Sequence, residues 1–311
     1  MNVIRPPALR EGDEIRIVAP ASAPDMNNLS KGISRLRKMG YRVTLGRNIK
    51  KLVQRNSLAA PPDRERMEEL VNAFRDDNVK AIFCARGGGY GSIHILPLID
   101  YDVIRDHPKI FLGYSDITAL HLAINKMTGL VTFHGPMPAS DPNEMAKPTY
   151  RHFLDILSGR SNDINPYTER VIKYIVSGRA EGRSMGTNLS VTASLIGTSY
   201  MPDPEGRILF VEDTGVTSGD VDRYFFSMKL AGMLPKFAGF VFGEFESIKD
   251  IEEPMPFVED VIQIFMNEVQ KPSLYGMPFG HGDDQMLIPL NSRIKISTDE
   301  PYLEMLEDVV D

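Results

Sequence analysis

One serine of the chain lies in a setting that can make a hydroxyl reactive. Ser115 follows a short apolar run, 110–112, and Gly113, and an apolar pattern of helical spacing begins at Ile117. This order predicts a strand, a sharp turn and a helix, with the serine at the turn. Such a turn places the hydroxyl beside a helix N-terminus, where backbone N–H groups can bind a developing oxyanion. The segment therefore indicates a serine hydrolase.

A reactive serine needs a base, usually histidine, and a carboxylate that holds the imidazole in the right tautomer. The chain has 6 histidines, of which His281, in a predicted loop, and His134, at a predicted strand end, are placed to reach a site. Glycines on both sides of His281 permit unusual backbone angles, which favours His281 and leaves His134 as the alternative. The others lie in charged or helical contexts and are expected to be solvated, packed or directed away from the turn: His94, His107, His121 and His152.

The best-placed carboxylate ends a predicted strand in the second half of the chain. Glu212 closes the run 207–212, and Asp213 follows it directly. Side chains alternate along a strand, so the two acids point to opposite sides and only one can face a site. Glu212 is the candidate partner of the histidine. The alternative is a helix cap or a salt bridge, which acidic pairs at strand ends often form.

A second candidate loop follows the predicted strand 79–84. It contains Arg86 and three consecutive glycines, 87–89. Consecutive glycines let the backbone approach a ligand closely and present N–H groups. The spacing matches neither common phosphate-binding motif, so an oxyanion-binding partner for the serine turn is the preferred interpretation. Cys84, in an apolar run, is expected to be a buried strand thiol.

The elements that position these residues alternate between strands and helices in the first half of the chain. This order predicts a parallel sheet with helices on both faces, and ligands bind beyond the C-terminal ends of strands in such sheets. The predicted strands are 14–20, 42–45, 79–84, 110–112 and 131–134, and the predicted helices include 26–38 and 62–76.

A polar, turn-rich segment, about 158–182, predicts a domain linker. A second unit follows it, with two strong strands, two helices and two closing strands. The strands are predicted at 207–212 and 239–243, the helices at 220–231 and 256–269, and the closing strands at 286–290 and 293–297.

Composition limits the class of protein. The 311 residues allow about two domains, and a net charge of -7 without a basic cluster argues against a nucleic-acid partner. No apolar run is long enough for a membrane span, and the N-terminus lacks a secretory pattern, which favours a cytoplasmic protein. The 1 cysteine excludes an intrachain disulfide, and no His, Cys, Asp or Glu spacing is typical of a metal site.

These motifs, in this order and spacing, resemble a known family over nearly the whole chain. The chain is similar to LD-carboxypeptidases of the bacterial muropeptide-recycling type, within the serine peptidase family that includes microcin C immunity proteins. The matching segments are 17–22, 86–91, 113–118, 134–137, 188–189, 194–197, 211–213 and 280–281. The resemblance implies an α/β fold: a flavodoxin-like, class I amidotransferase-like parallel sheet, followed by a C-terminal α/β domain resembling a swivelling barrel.

The resemblance also implies a role for each site residue. Ser115 would be the nucleophile, His281 the general base and Glu212 its orienting acid. Backbone N–H groups of Asp116 and of Gly88 would form the oxyanion hole. The glycine loop has one more glycine than the usual family pattern, so Gly87 is the alternative donor. The sequence after His281 also departs from that of some members, which affects outer substrate contacts.

The implied substrate is the murein tetrapeptide, cut before its C-terminal D-Ala, without a cofactor or a metal. Such a substrate is anionic, so Arg86 is a candidate contact, with a structural salt bridge as the alternative. The implied domains are 1–160, a linker at 161–182, and 183–311, with serine and base in different domains. A cytoplasmic homodimer without a membrane or nucleic-acid partner is expected.

Three other functions are compatible with parts of the pattern. A microcin-type immunity hydrolase would act on aminoacyl adenylate analogues, but such enzymes place an aromatic ring, often Trp, on the adenine, and this chain has 0 Trp. An α/β-hydrolase esterase shares the chain order serine, acid, histidine, although the second glycine of its elbow motif is missing. A catalytically silent binding module of the same fold would not need all three residue types.

Overall fold

The computed structural model describes most of the chain as two sheets with flanking helices. The described residues are 2–55, 61–89, 91–140, 147–165, 171–246, 256–282, 284–299 and 302–311. The helices are α1 (Met26–Lys38), α2 (Arg47–Arg55), α3 (Asp63–Arg75), α4 (Tyr101–Asp106), α5 (Thr118–Thr128), α6 (Pro148–Leu157), α7 (Leu189–Ser194), α8 (Ser218–Leu230) and α9 (Val258–Val269). The strands are β1 (Glu14–Val18), β2 (Arg42–Leu45), β3 (Val79–Cys84), β4 (Ile110–Gly113), β5 (Thr132–His134), β6 (Lys173–Val176), β7 (Arg179–Asn188), β8 (Ile208–Thr214), β9 (Gly239–Glu246), β10 (Ser273–Tyr275), β11 (Ile288–Leu290), β12 (Arg293–Ser297) and β13 (Tyr302–Met305).

The first sheet has the strand order β11-β5-β4-β3-β1-β2. Strands β1 to β5 are parallel, in the flavodoxin-like order 2-1-3-4-5. The segments after β1, β3 and β4 therefore leave the sheet at the same edge, where such folds bind ligands. The predicted parallel sheet is confirmed.

Helices cover both faces of this sheet because its strands are apolar on both sides. On one face, Ile17 and Phe83 pack in a cluster with α1 and α6. On the other, Val18 and Cys84 pack with α3 and α5. Strands buried on both faces read as continuous apolar runs, which is why the sequence shows them clearly.

The second sheet has the order β13-β12-β7-β8-β9-β10-β6 and curls into a half-barrel. Strands β7 to β10 are parallel, and β6, β12 and β13 run antiparallel to their neighbours. Apolar residues of β8 and β9 pack with α7, α8 and α9 in the cluster that also contains α5. One core therefore connects the two sheets, and the predicted α/β fold with a barrel-like second part is confirmed.

One expectation about the second half of the chain is corrected. The segment 286–290, expected to close the second sheet, instead forms β11, which pairs antiparallel with β5 of the first sheet. Its residues Ile288 and Leu290 are fully buried there, so β11 covers an apolar edge that β5 would otherwise expose. The polar segment 158–182 contains β6, an edge strand of the second sheet, and the start of β7.

Within the described ranges, no helix has the length and apolar character needed to cross a membrane.

Candidate active site

Ser115 occupies the predicted turn between strand and helix. Strand β4 ends at Gly113, and a 3-10 turn, Ser115–Ile117, leads into α5. The serine has φ 63, a left-handed backbone conformation that non-glycine residues rarely adopt. A Cβ at Gly113 would lie 2.8 Å from the Ile117 side chain, so glycine allows the turn to close against the sheet. The strained turn directs the Ser115 hydroxyl away from the core.

The second half of the chain brings a histidine and a carboxylate to this hydroxyl. His281 Nε2 lies 3.0 Å from Ser115 Oγ, and His281 Nδ1 lies 2.9 Å from Glu212 Oε2. Gly280 has φ 133, and a Cβ there would lie 3.2 Å from Glu212 Oε2. The glycine before His281 therefore provides the close approach that the loop requires. The serine, the imidazole and the carboxylate are all within hydrogen-bond reach, an arrangement that could activate the serine.

The environment of Glu212 favours its role as a hydrogen-bond acceptor for the imidazole. The side chain is fully buried, and burial raises the pKa of the Glu212 carboxyl, while the bond from His281 opposes that shift. Among the described residues none donates a hydrogen bond to Glu212 Oε1. The Glu212 carboxyl is thus fully buried and directed towards one imidazole nitrogen, which would fix the tautomer.

Asp213, the neighbouring acid, has a different task. Its Oδ2 accepts a hydrogen bond from Ser190 N at the start of α7, and its Oδ1 accepts one from the Asn188 side chain. The register of β8 against β9 shifts between Val211 and Asp213. The two acids thus have different hydrogen-bond partners, and Asp213 accepts a bond from the first turn of α7, as the helix-cap alternative expected.

His134, the alternative base, does not reach Ser115. It is fully buried, with Nδ1 2.7 Å from Thr187 Oγ1, and its ring packs edge-on against Tyr114 and Phe279. Burial lowers the pKa of His134 well below its usual value, so the ring stays neutral. The sequence context alone could not exclude it, because its partner Thr187 comes from the other sheet.

The other histidines have partners other than the serine hydroxyl. His121 is buried between Thr132 Oγ1 and the Gly113 carbonyl, and burial lowers its pKa to about 4. His94 and His107 are solvent-exposed beside acidic residues, and His152 lies on α6.

The glycine loop lies directly against the serine turn. A Cβ at Gly87 would lie 3.0 Å from Ser115 Cβ and 3.2 Å from Asp116 N, whereas one at Gly88, which has φ 107, would lie 2.7 Å from Ser22 Oγ. The loop and the turn thus bring backbone close to the Ser115 hydroxyl. Gly89 has open space around it.

Asp116 fixes the start of the turn from its other side. Its carboxylate accepts a hydrogen bond from Ser92 N at 2.7 Å, and Ser92 Oγ donates to the Asp116 carbonyl at 2.8 Å. Burial raises the pKa of the Asp116 carboxyl.

A cavity of about 530 Å³ opens beside the serine. Arg86 lines it, is exposed, and donates from Nη1 to the Ala23 carbonyl at 3.5 Å. No ion pair of Arg86 is found among the described side chains, so the salt-bridge alternative has no support there. Several other residues that line the cavity have no individual signature in the sequence: Asp25, Asn28, Tyr114, Met137, Ala139, Ser140 and Thr214. The available signal was a position at the start of α1, beside Ser115, after β5 or at the end of β8.

Cys84 is fully buried at the end of β3, and burial raises the pKa of its thiol. The expected buried strand thiol is confirmed. In the described part of the chain, no group of three or more His, Cys, Asp or Glu side chains is arranged to hold a metal ion.

Comparison with known proteins places this site in a family. Residues 15–135 match the model of the LD-carboxypeptidase N-terminal domain, and residues 181–296 match the model of the C-terminal domain. The chain therefore belongs to the LD-carboxypeptidase family, peptidase family S66, and is a peptidase by family.

Individual relatives cover almost the whole chain. The probable murein peptide carboxypeptidase of Bacillus subtilis is 36% identical over 303 residues, which are 95% of this chain and 92% of that protein. The structure of the microcin C7 self-immunity protein MccF in complex with aspartyl sulfamoyl adenosine superposes with a TM-score of 0.88 at 26% identity, over 99% of this chain and 100% of the other. The muramoyltetrapeptide carboxypeptidase of Oxalobacter formigenes gives a TM-score of 0.78 at 27% identity, over 94% of this chain and 97% of the other.

Proposed function

We propose that this protein is a serine-type LD-carboxypeptidase that removes the C-terminal D-Ala from murein tetrapeptides. The proposal rests mainly on a chain of two hydrogen bonds. His281 Nε2 lies 3.0 Å from Ser115 Oγ, and His281 Nδ1 lies 2.9 Å from Glu212 Oε2. The similarity to the Bacillus subtilis murein peptide carboxypeptidase supports the choice of substrate.

In the proposed reaction, Ser115 Oγ attacks the carbonyl carbon that precedes the terminal D-residue. The proton of the hydroxyl passes to His281 Nε2, and Glu212 stabilises the resulting imidazolium through Nδ1. The new oxyanion accepts hydrogen bonds from the backbone N–H groups of Asp116 and Gly88.

The tetrahedral species then collapses to products. The carbon–nitrogen bond breaks, and His281 returns the proton to the nitrogen, so D-Ala leaves as an amine. Water, deprotonated by His281, attacks the ester on Ser115 and releases the shortened peptide with a new carboxylate. The cycle restores the serine hydroxyl and needs no metal or redox group.

Arg86 is the proposed contact for the free carboxylate of the substrate. A carboxypeptidase must recognise a chain end, and a guanidinium can bind a carboxylate with two parallel hydrogen bonds. Arg86 lines the cavity beside Ser115 and is exposed to it. Gly87, which packs on Ser115, is the proposed backbone neighbour of the reacting carbonyl.

A second candidate is hydrolysis of aminoacyl sulfamoyl adenylates, favoured by the high structural similarity to MccF. Among the described residues that line the cavity, the aromatic one is Tyr114, which is 4% exposed and packs on His281. Its ring is therefore little available for stacking on adenine, and this feature favours the murein peptide. Cytoplasmic location, a homodimer and the domain limits 1–160, 161–182 and 183–311 stay predictions.

A substrate comparison tests the proposal. Purified protein is incubated with a murein tetrapeptide, with the same peptide ending in L-Ala, and with aspartyl sulfamoyl adenosine. We expect release of D-Ala from the first compound, and slow or no turnover of the other two. Turnover of the adenosine conjugate without release of D-Ala would instead establish the immunity-type activity.

A further inference from the structure

Helix α3 carries an arginine whose guanidinium is enclosed behind the candidate site. Arg66 is 0% exposed, although it lies in a segment of the sequence that is rich in charged residues. Its Nη1 donates to the Pro20 carbonyl at 2.7 Å and to the Gly91 carbonyl at 3.4 Å, and its Nη2 contacts Asp63. A buried charge is costly, and replacing a whole buried ion pair with apolar residues is often neutral or stabilising, so the presence of such a pair is weak evidence for a purely stabilising role.

The two carbonyls that Arg66 binds belong to the two loops that meet beside Ser115. Pro20 follows β1, and Gly91 ends the glycine loop that follows β3. The same loops also touch in their middle, because Ser22 N donates to the Gly87 carbonyl at 3.3 Å. Arg66 therefore fixes the far end of the loop that contains Gly87 and Gly88.

The residue after Gly91 continues the connection to the serine turn. Ser92 N donates to the Asp116 carboxylate at 2.7 Å, and Ser92 Oγ donates to the Asp116 carbonyl at 2.8 Å. Asp116 directly follows Ser115. A short path of hydrogen bonds and one peptide link thus runs from the Arg66 guanidinium through Gly91 and Ser92 to the Asp116 backbone.

We propose that Arg66 is a positioning residue that sets the spacing between the two oxyanion donors, the backbone N–H groups of Gly88 and Asp116. The inference rests on the proposed function, because it assumes that Ser115 is the nucleophile. Oxyanion stabilisation depends on donors that are fixed before the reaction, so a looser loop weakens the transition state more than substrate binding. Arg66 acts through two backbone carbonyls and touches no reacting atom.

The test compares Arg66→Met and Arg66→Lys with the matched control Arg64→Met, since Arg64 lies on the same helix and is solvent-exposed. Two rates are measured well below each unfolding midpoint: D-Ala release from murein tetrapeptide, and labelling of Ser115 by a fluorophosphonate. For Arg66→Met we expect kcat and the labelling rate to fall about 10²-fold with KM nearly unchanged. Arg66→Lys places one point charge between two carbonyls, so kcat and the labelling rate are expected to fall about tenfold. Arg64→Met is expected to have the same rates as the wild type.

A purely structural role predicts a different result. In that case Arg66→Met lowers the unfolding midpoint, but the folded fraction reacts at the wild-type rate, and this outcome overturns the proposal. Guanidinium added to Arg66→Ala is expected to restore part of the labelling rate, and to have no such effect on Arg64→Ala.

A milder variant covers the case in which Arg66→Met does not fold. Ser92→Ala removes one bond to Asp116 without leaving a buried charge, and is expected to slow labelling about tenfold. Labelling of Ser92→Ala at the wild-type rate would contradict the proposal. If the wild type reacts with the fluorophosphonate but releases no D-Ala, the proposed substrate is wrong, and the labelling rates still test the role of Arg66.

Discussion

His281 Nε2 lies 3.0 Å from Ser115 Oγ although the two residues are 166 positions apart in the sequence. The histidine belongs to the segment between β10, in the second sheet, and β11, in the first. The chain therefore presents the imidazole while it crosses from one sheet to the other. Because Glu212 lies on β8 of the second sheet, the reactivity of Ser115 depends on how the two sheets pack.

His281 and His134 can be separated by matched substitutions to glutamine. His281→Gln removes the base, so kcat for D-Ala release is expected to fall at least about 10⁴-fold. His134→Gln touches no reacting atom and is expected to lower kcat less than about tenfold. Steady-state release of D-Ala measures both effects, and the opposite ranking would show that the base is assigned wrongly.

Glu212→Gln is expected to lower activity without lowering stability. The amide cannot stabilise an imidazolium as the carboxylate does, so kcat should fall about 10⁴-fold. Burial raises the pKa of Glu212 above 4.5, so the folded state loses stability as the pH rises above that value and the buried group ionises. The variant should therefore unfold at the same temperature as the wild type near neutral pH, or at a higher one.

Asp213→Asn is the contrasting variant for this experiment. It removes the charged acceptor of Ser190 N at the start of α7, and its free energy of unfolding should fall by about 0.5–2 kcal/mol. Calorimetry measures the unfolding temperatures of both variants. A lower unfolding temperature for Glu212→Gln than for Asp213→Asn would contradict the argument from burial.

Two neighbouring glycines of the glycine loop are expected to respond differently to alanine. Gly88 has φ 107, and a Cβ there would lie 2.7 Å from Ser22 Oγ, whereas a Cβ at Gly89 meets nothing within 4 Å. Gly88→Ala should cost about 1–3 kcal/mol of strain and, by displacing an oxyanion donor, lower kcat about 10²–10³-fold. Gly89→Ala should behave like the wild type in both assays, and equal losses in the two variants would contradict the assignment of Gly88 as the donor.

The burial of histidine side chains predicts that the folded state becomes less stable in acid. Burial lowers the pKa of His121 from 6.5 to about 4, so between these values the unfolded chain binds a proton that the folded protein excludes. The free energy of unfolding should fall by up to about 1.4 kcal/mol per pH unit as the pH decreases through this interval. In urea unfolding, His121→Gln should show a shallower pH dependence than the wild type, and parallel curves would argue against this origin.

The chemistry of the site could be read from local sequence, but the distances could not. The elbow at Ser115, the strand end at Glu212 and the glycine-flanked His281 each have a local signature, and family resemblance joined them. The choice between His281 and His134 depends on packing between sheets, because Thr187 of β7 holds His134 in the core. A contact between residues so far apart in the chain cannot be predicted from the local sequence.

The positions of β11 and Arg66 were also not predicted from the local sequence. A short apolar run predicts a strand, but not which sheet it joins, and β11 crosses to the first sheet. Arg66 lies within a charged helix and looks solvent-exposed, yet it is spaced four and seven residues before the buried Leu70 and Ala73. That helical spacing was the available signal that its side chain faces the core.

Ser115 is the proposed nucleophile for hydrolysis of the bond before D-Ala. The most direct test of this role is the initial rate of D-Ala release from a murein tetrapeptide by the wild type, by Ser115→Ala and by Ser34→Ala, which alters an exposed serine on α1. We expect release by the wild type and by Ser34→Ala, and a rate at least about 10⁴-fold lower for Ser115→Ala. Release of D-Ala by folded Ser115→Ala at the wild-type rate would contradict this role.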